Sequence, residues 1–200
     1  MDQTLVALVG FAFVTSVTPG PNNLMLMASG ANFGFRRTVP HMLGISLGHA
    51  LMVFLVGLGI GGVFVAVPVL GVVLKVAAVG YMLWLAGRIA RSAAPGEGAA
   101  AGRPFSFLQA AGFQWVNPKA WAMALTATTV YAPTVQGGQG WAAMALVALV
   151  FAAVNLPSVS VWTVLGREVA RVLTDARRLR AFNWGMAAVL VLSLWPVLRG

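Results

Sequence analysis

The 200 residues are 60% hydrophobic and only 8% charged, with a formal net charge of +9 and no cysteine. A soluble domain carries about 25% charged residues, so a soluble fold would lack the polar side chains that cover a surface. The basic residues lie between long apolar runs instead of on a polar face, which excludes a nucleic-acid-binding surface. The absence of cysteine excludes disulfides and thiolate metal sites. The composition therefore predicts an all-α integral membrane protein.

Six stretches are apolar and long enough to cross a bilayer as helices. They are predicted at about 4–28, 39–63, 67–90, 105–130, 139–165 and 181–198. The first stretch lacks the positive segment of a signal peptide and is interpreted as a retained helix. A polar linker, 91–104, divides a single transmembrane transporter domain, 1–200, into two parts of three helices each, 1–90 and 105–200.

The connections between the predicted helices alternate between basic and uncharged. Arginines occupy the first, third and fifth connections, whereas the second and fourth carry no charge. The positive-inside rule then places the basic connections in the cytoplasm and both termini outside. With three helices per half, the second half is upside down relative to the first, which predicts two inverted repeats. The charged segment 167–180 fits either a surface amphipathic helix or a solvated loop.

The first predicted helix contains a break. Its residues are Thr18, Pro19, Gly20, Pro21, Asn22 and Asn23. Proline removes a backbone donor and clashes with the preceding turn, and orphaned backbone groups in lipid are costly unless they face protein or water. A half-helix beginning near Pro21 presents free N–H groups to a carboxylate, and the carbonyls before the break can accept from an ammonium. The motif predicts a site for a zwitterionic amino acid, with a purely structural kink as the alternative.

A second break, Asn117-Pro118-Lys119, lies in the fourth predicted helix, which corresponds to the first in the other half. Broken helices at matching positions of two halves indicate a binding site near the middle of the membrane. Lys119 is a charge at membrane depth, where such residues usually face an aqueous path or the bundle interior. We expect it to bind a substrate carboxylate or to gate the path; a lysine that snorkels to the interface is the alternative.

Two further helices carry candidate residues. Gly44 and Gly48 allow a neighbouring backbone to approach closely, either within one chain or at a homodimer seam. His49 titrates near physiological pH, so it is a candidate for carrying a coupling proton, with a structural histidine as the alternative. Asn155 can bridge helices or contact substrate, and Pro157 adds a kink in the fifth helix.

At these residues the sequence resembles the lysine exporter/RhtB family. The resemblance rests on residues 18–34, the pair Arg36-Arg37, the two helix-2 glycines and the second break, and it extends to the length, the helix number and the linker. It implies an exporter of amino acids or their derivatives in a bacterial plasma membrane, driven by an ion gradient. The expected partners are the amino-acid substrate, membrane lipids and a coupling proton or other ion.

The acidic residues narrow the choice of function. All four, Asp2, Glu97, Glu168 and Asp175, lie outside the predicted helices, which disfavours a metal-ion site and favours a neutral zwitterion over lysine or arginine as substrate. No cofactor and no ATP-binding loop are expected. A passive channel and an exporter of another metabolite remain as alternatives. An intramembrane enzyme is disfavoured because no serine lies in a nucleophile motif and no acid orients His49.

Overall fold

The computed structural model describes residues 3–92, 103–132, 140–173, 175–195 and 198, and these form an all-helical protein. In chain order the helices are α1 (Gln3–Val17), α2 (Pro21–Leu55), α3 (Gly61–Ala66), α4 (Pro68–Ala90), α5 (Phe107–Phe113), α6 (Pro118–Thr126), α7 (Trp141–Val172) and α8 (Ala176–Leu192). Most of the predicted linker 91–104 and of the uncharged connection 131–138 lies outside the described residues.

Helix α2 turns back on itself at Gly34, where φ is +75°. Glycine adopts this left-handed value without the steric cost of a Cβ atom. Ser29 Oγ lies 2.9 Å from Thr38 Oγ1, although nine residues of straight α-helix would separate them by about 13.5 Å. Helix α2 therefore consists of two arms, 21–33 and 35–55, which we call the first arm and the second arm. The reversal lies within the predicted connection 29–38, but the connection is shorter than predicted, because a single glycine joins the two arms.

The first arm packs against α7 at backbone distance. A Cβ atom on Gly30 would overlap the carbonyl oxygen of Thr163, and one on Gly166 would overlap the carbonyl oxygen of Met27. Only glycine fits at either position, because the overlapping atoms are backbone and cannot rotate away. The two elements are thereby held in a single register, which fixes the start of the first arm relative to α7.

The second arm packs in the same way against α5. A Cβ atom on Gly44 would overlap the carbonyl oxygen of Phe107, and one on Gly48 would lie 2.5 Å from the Cα of Ala111. Both predicted packing glycines therefore face a helix of the same chain. Helix α4 packs against α8, and large aliphatic side chains cover the outer face of α4, where Val69 and Val76 are each 67% exposed. An apolar exterior of this kind suits contact with lipid tails.

Two predicted elements differ from the structure in their bounds. The fourth predicted helix is divided by a 3-10 turn, Gln114–Val116, between α5 and α6, and a π-helical turn, Ala127–Tyr131, follows. Helix α7 continues to Val172, and α8 begins at Ala176 with Asp175 as its N-cap. The segment 167–180 is thus the adjoining ends of two helices, and neither a separate surface helix nor a long loop. Glu168 neutralises part of its positive charge through ion pairs with Arg167 and Arg171.

Candidate functional site

The two helix breaks meet at one polar cavity. Helix α1 ends at Val17 and α2 begins at Pro21, and the extended Asn117 separates the 3-10 turn from α6. The cavity is lined by residues of both breaks, the second arm and α7, namely Thr15, Ser16, Gly20, Asn22, Asn23, His49, Gln114, Asn117, Lys119, Ala120, Met123, Asn155 and Val159. Residues predicted separately in four helices are therefore neighbours. Pro21 and Pro118 occupy the first turns of α2 and α6.

Lys119 connects the two breaks directly. Its Nζ donates to the main-chain oxygen of Thr18 at 2.7 Å, to Thr18 Oγ1 at 2.9 Å and to the main-chain oxygen of Pro19 at 3.3 Å. The C-terminal end of a helix carries partial negative charge, so the end of α1 attracts this ammonium. A Cβ atom on Gly20 would lie 2.8 Å from Lys119 Cδ, so a larger residue at this position would displace the lysine side chain. In this conformation the lysine ammonium is therefore bound by oxygens of the first break.

The remaining carbonyl groups at the end of α1 also have side-chain donors. Asn23 Nδ2 donates to the oxygens of Ser16 at 2.9 Å and Thr18 at 2.7 Å, and Trp162 Nε1 donates to the oxygen of Val17 at 3.0 Å. Together with the lysine ammonium, these groups satisfy all four carbonyls of residues 16–19. The expectation that these carbonyls are free for a substrate ammonium is therefore wrong for this conformation, in which the protein supplies its own donors.

A reciprocal amide pair forms a second connection between the breaks. Asn22 Nδ2 donates to Gln114 Oε1 at 2.9 Å, and Gln114 Nε2 donates to Asn22 Oδ1 at 3.2 Å. Gln114 is fully buried and also donates to the oxygen of Ala110. The sequence interpretation missed Gln114. Its signal was an amide in an apolar stretch, three residues before the Asn117-Pro118 break.

Asn155 joins three helices beneath the breaks. Its Nδ2 donates to Ser16 Oγ at 3.0 Å, and its Oδ1 accepts from Ser46 Oγ at 2.9 Å. All three residues are buried, so each depends on the others for its hydrogen bonds. Helix α7 remains helical on both sides of Pro157, which does not line the cavity.

His49 lies at the inner wall of the cavity, where it is 2% exposed. Its ring packs edge-on against Phe151, with the centroids 5.2 Å apart. Neither ring nitrogen has a hydrogen-bond partner in the described part of the chain. A buried polar group of this kind is unusual and calls for a functional reason.

The cavity is small in this conformation and bears positive charge. Its volume is about 20 Å³, enough for a water molecule and too small for an amino acid. Its polar groups are amides, hydroxyls, an imidazole and one ammonium, and none of the residues lining it is acidic. Across the described ranges, no three His, Asp or Glu side chains lie close enough together to hold a metal ion.

A model of LysE type translocators matches residues 13–193 of the chain. A cysteine/O-acetylserine efflux protein of Klebsiella pneumoniae is 30% identical over 193 residues, which cover 96% of this chain and 95% of that protein. Proteins of the same name are 35% identical over 133 residues in Escherichia coli K12, covering 66% of this chain and 67% of the relative, and 34% identical over 122 residues in Salmonella typhimurium, covering 60% and 62%. No solved structure matches significantly.

Proposed function

We propose that this chain, which belongs to the LysE type translocator family, exports small neutral amino acids or their derivatives across the inner membrane. Members of this family are multi-pass membrane transporters and not enzymes. The observation that carries the proposal is the polar cavity at which the two broken helices meet, because it offers amide and ammonium groups and no carboxylate. Cysteine and O-acetylserine, named for the relatives, are neutral zwitterions of the class that such a cavity suits.

We also propose that the chain forms two inverted repeats, 1–90 and 105–200, joined by the linker 91–104, with both termini outside. The six spans are then α1 with the first arm, the second arm with α3, α4, α5 with α6, α7, and α8. In an inverted repeat, spans 1, 2 and 3 correspond to spans 4, 5 and 6. The contact of span 1 with span 5 (α7) then corresponds to the contact of span 4 (α5) with span 2 (the second arm), and both contacts are present. The same correspondence maps the pairing of α4 with α8 onto itself. Such packing supports the repeat.

The bonds between the breaks provide a gate. Lys119 with Thr18, and Gln114 with Asn22, both join the first span of one repeat to the first span of the other. These bonds must break if the repeats are to separate and expose the site. A substrate ammonium can replace the lysine at the carbonyls of Thr18 and Pro19. The released Lys119 and the free N–H groups at the start of α2 can then bind the substrate carboxylate.

His49 is the candidate for proton coupling in this scheme. It is buried in the cavity wall, and its ring nitrogens have no partner in the described part of the chain. Export driven by a proton gradient requires a group that gains and loses a proton, and the lining residues include no carboxylate for that role. A histidine that gains a proton on one side and loses it on the other would link flux to the pH gradient.

Transport by purified protein in liposomes tests the proposal. We expect saturable flux of O-acetyl-L-serine and L-cysteine that responds to an imposed pH gradient, and loss of that response in His49→Gln. Flux that neither saturates nor responds to a gradient would instead support a passive channel. Absence of flux of any neutral amino acid, under proton and sodium gradients of both directions, would refute the export function.

A further inference from the structure

A second cavity lies between the first arm of α2, the C-terminal end of α4 and residues 103–105. Its volume is about 100 Å³, compared with about 20 Å³ for the cavity at the breaks. Such a volume admits a small polar molecule. In the same conformation, the second cavity therefore offers space that the cavity at the breaks lacks.

Three arginines make this second cavity strongly positive. Arg88, Arg91 and Arg103 line it, and none of the described residues that line it is acidic. The guanidinium of Arg88 lies 5.2 Å from the ring centroid of Trp84 and 5.1 Å from that of Phe105, and it donates to the main-chain oxygen of Arg103 at 3.1 Å. Arg88 is therefore held in place before any ligand arrives, which lowers the entropic cost of binding.

His41 supplies an independent sign of a ligand. It lines the cavity, is only 1% exposed, and packs edge-on against Phe105 at 5.2 Å between centroids. Both of its ring nitrogens lack a hydrogen-bond partner among the described residues. An imidazole and guanidinium groups around one space match the oxygens of a carboxylate, since the ring N–H and the arginine fork both donate to such oxygens.

The two cavities follow one another along α2. On the first arm, Asn22 lines the cavity at the breaks and Met25, about one turn further, lines the basic cavity. On the second arm, His49 and His41 line the same two cavities in that order, eight residues or about 12 Å of helix apart. The basic cavity lies at the end of the protein where the positive-inside rule places the cytoplasm.

We propose that the basic cavity is a loading site, which binds the carboxylate of a zwitterionic amino acid from the cytoplasm before the molecule moves to the breaks. The proposal rests on the proposed export function for the direction of movement only. The charge of the cavity selects molecules with a carboxylate, and its volume selects small ones.

Calorimetric titration of the purified protein in phosphatidylcholine nanodiscs tests this site without any gradient. Lys119→Met, which disrupts the site at the breaks, should still bind O-acetyl-L-serine. Adding Arg91→Gln or Arg103→Gln to Lys119→Met should weaken that binding about tenfold, as expected for loss of one charge-assisted hydrogen bond. Adding His41→Phe should also weaken the binding, without loss of thermal stability. Arg178→Gln, an exposed arginine of α8, is the matched control and should change nothing.

Two results would overturn the proposal. One is equal binding of O-acetyl-L-serine and its carboxamide analogue, or arginine variants that behave like Arg178→Gln. The other concerns lipid. Replacing part of the phosphatidylcholine with phosphatidylglycerol tests whether an anionic lipid raises the melting temperature of the protein; if Arg91→Gln and Arg103→Gln reduce only this increase and leave the binding of O-acetyl-L-serine unchanged, the cavity is a lipid-headgroup site. A wild-type protein that binds here and transports no amino acid would instead refute the export function and leave this site standing.

Discussion

The ε-ammonium of Lys119 lies 2.7 Å from the main-chain oxygen of Thr18, a residue 101 positions earlier in the chain. The bond ties the first turn of α6 to the negative end of α1, and it crosses between the two proposed repeats. An amino-acid substrate carries the same chemical group, so it can compete with the lysine for the same oxygens. The gate that we propose rests on this competition between the lysine and the substrate ammonium for the oxygens of Thr18 and Pro19.

Replacing Lys119 with methionine should abolish gated export. Lys119 is half-buried and its ammonium donates to three oxygens of the first break. Hydrogen bonds of a charged group contribute about 1.5–3 kcal/mol, so we expect flux in liposomes to fall about tenfold. Lys119→Arg should not restore it, because the planar guanidinium needs more room than the compact ammonium and the lysine stem lies so close to Gly20 that a Cβ atom there would meet it. Wild-type flux in either variant, with normal folding by thermal melting, would contradict the assigned role.

The bridge of Asn155 to Ser16 and Ser46 predicts a stability effect that is separate from transport. Asn155→Ala leaves two buried hydroxyls without partners, and hydrogen bonds between membrane helices contribute about 1 kcal/mol each. A double-mutant cycle of Asn155→Ala with Ser46→Ala, measured by reversible denaturation in detergent, should show a coupling energy of about that size. Strictly additive losses would mean that the 2.9 Å bond contributes nothing.

The close contact of the first arm with α7 predicts which glycines tolerate substitution. A methyl group on Gly166 would overlap the carbonyl oxygen of Met27. A methyl group on Gly185 of α8 would have no other atom within 4 Å. Gly166→Ala should destabilise the protein by about 1–3 kcal/mol through overpacking. The control Gly185→Ala should be neutral or stabilising by up to about 1 kcal/mol, since alanine favours helix. Equal melting temperatures for the two variants would refute this packing.

The proposed topology can be mapped because the chain contains no cysteine. Single cysteines at Arg37 and Arg178 should react with a membrane-impermeant maleimide only from the cytoplasmic side, because both positions lie in predicted cytoplasmic connections. A cysteine at Gly140, at the start of α7, should react only from the opposite side. Labelling of all three positions from one side would overturn the inverted repeat.

The sequence predicted the elements that backbone chemistry dictates. Pro19 and Pro21 end one helix and begin the next wherever the chain lies in the fold, so the first break is where it was expected. The sequence could not predict which residues contact the first break, because the hydrogen bonds of Lys119 and Gln114 to residues about 100 positions away depend on tertiary packing. A connection between the first two helices was predicted at 29–38, and the reversal lies within it. That Gly34 alone makes the reversal was not predicted, because the flanking residues favour helix and a single positive φ is enough to fold the two arms together.

The proposed exchange at the end of α1 predicts which group of the substrate the protein recognises. If a substrate ammonium must replace Lys119 at the oxygens of Thr18 and Pro19, an amino acid whose amine is acetylated cannot open the gate. N-acetyl-L-serine should therefore not be exported, although it is an isomer of O-acetyl-L-serine and keeps the carboxylate that the basic cavity would bind. Counterflow in liposomes measures its export. Export of the N-acetyl isomer at a comparable rate would show that the ammonium is not the group exchanged at the end of α1.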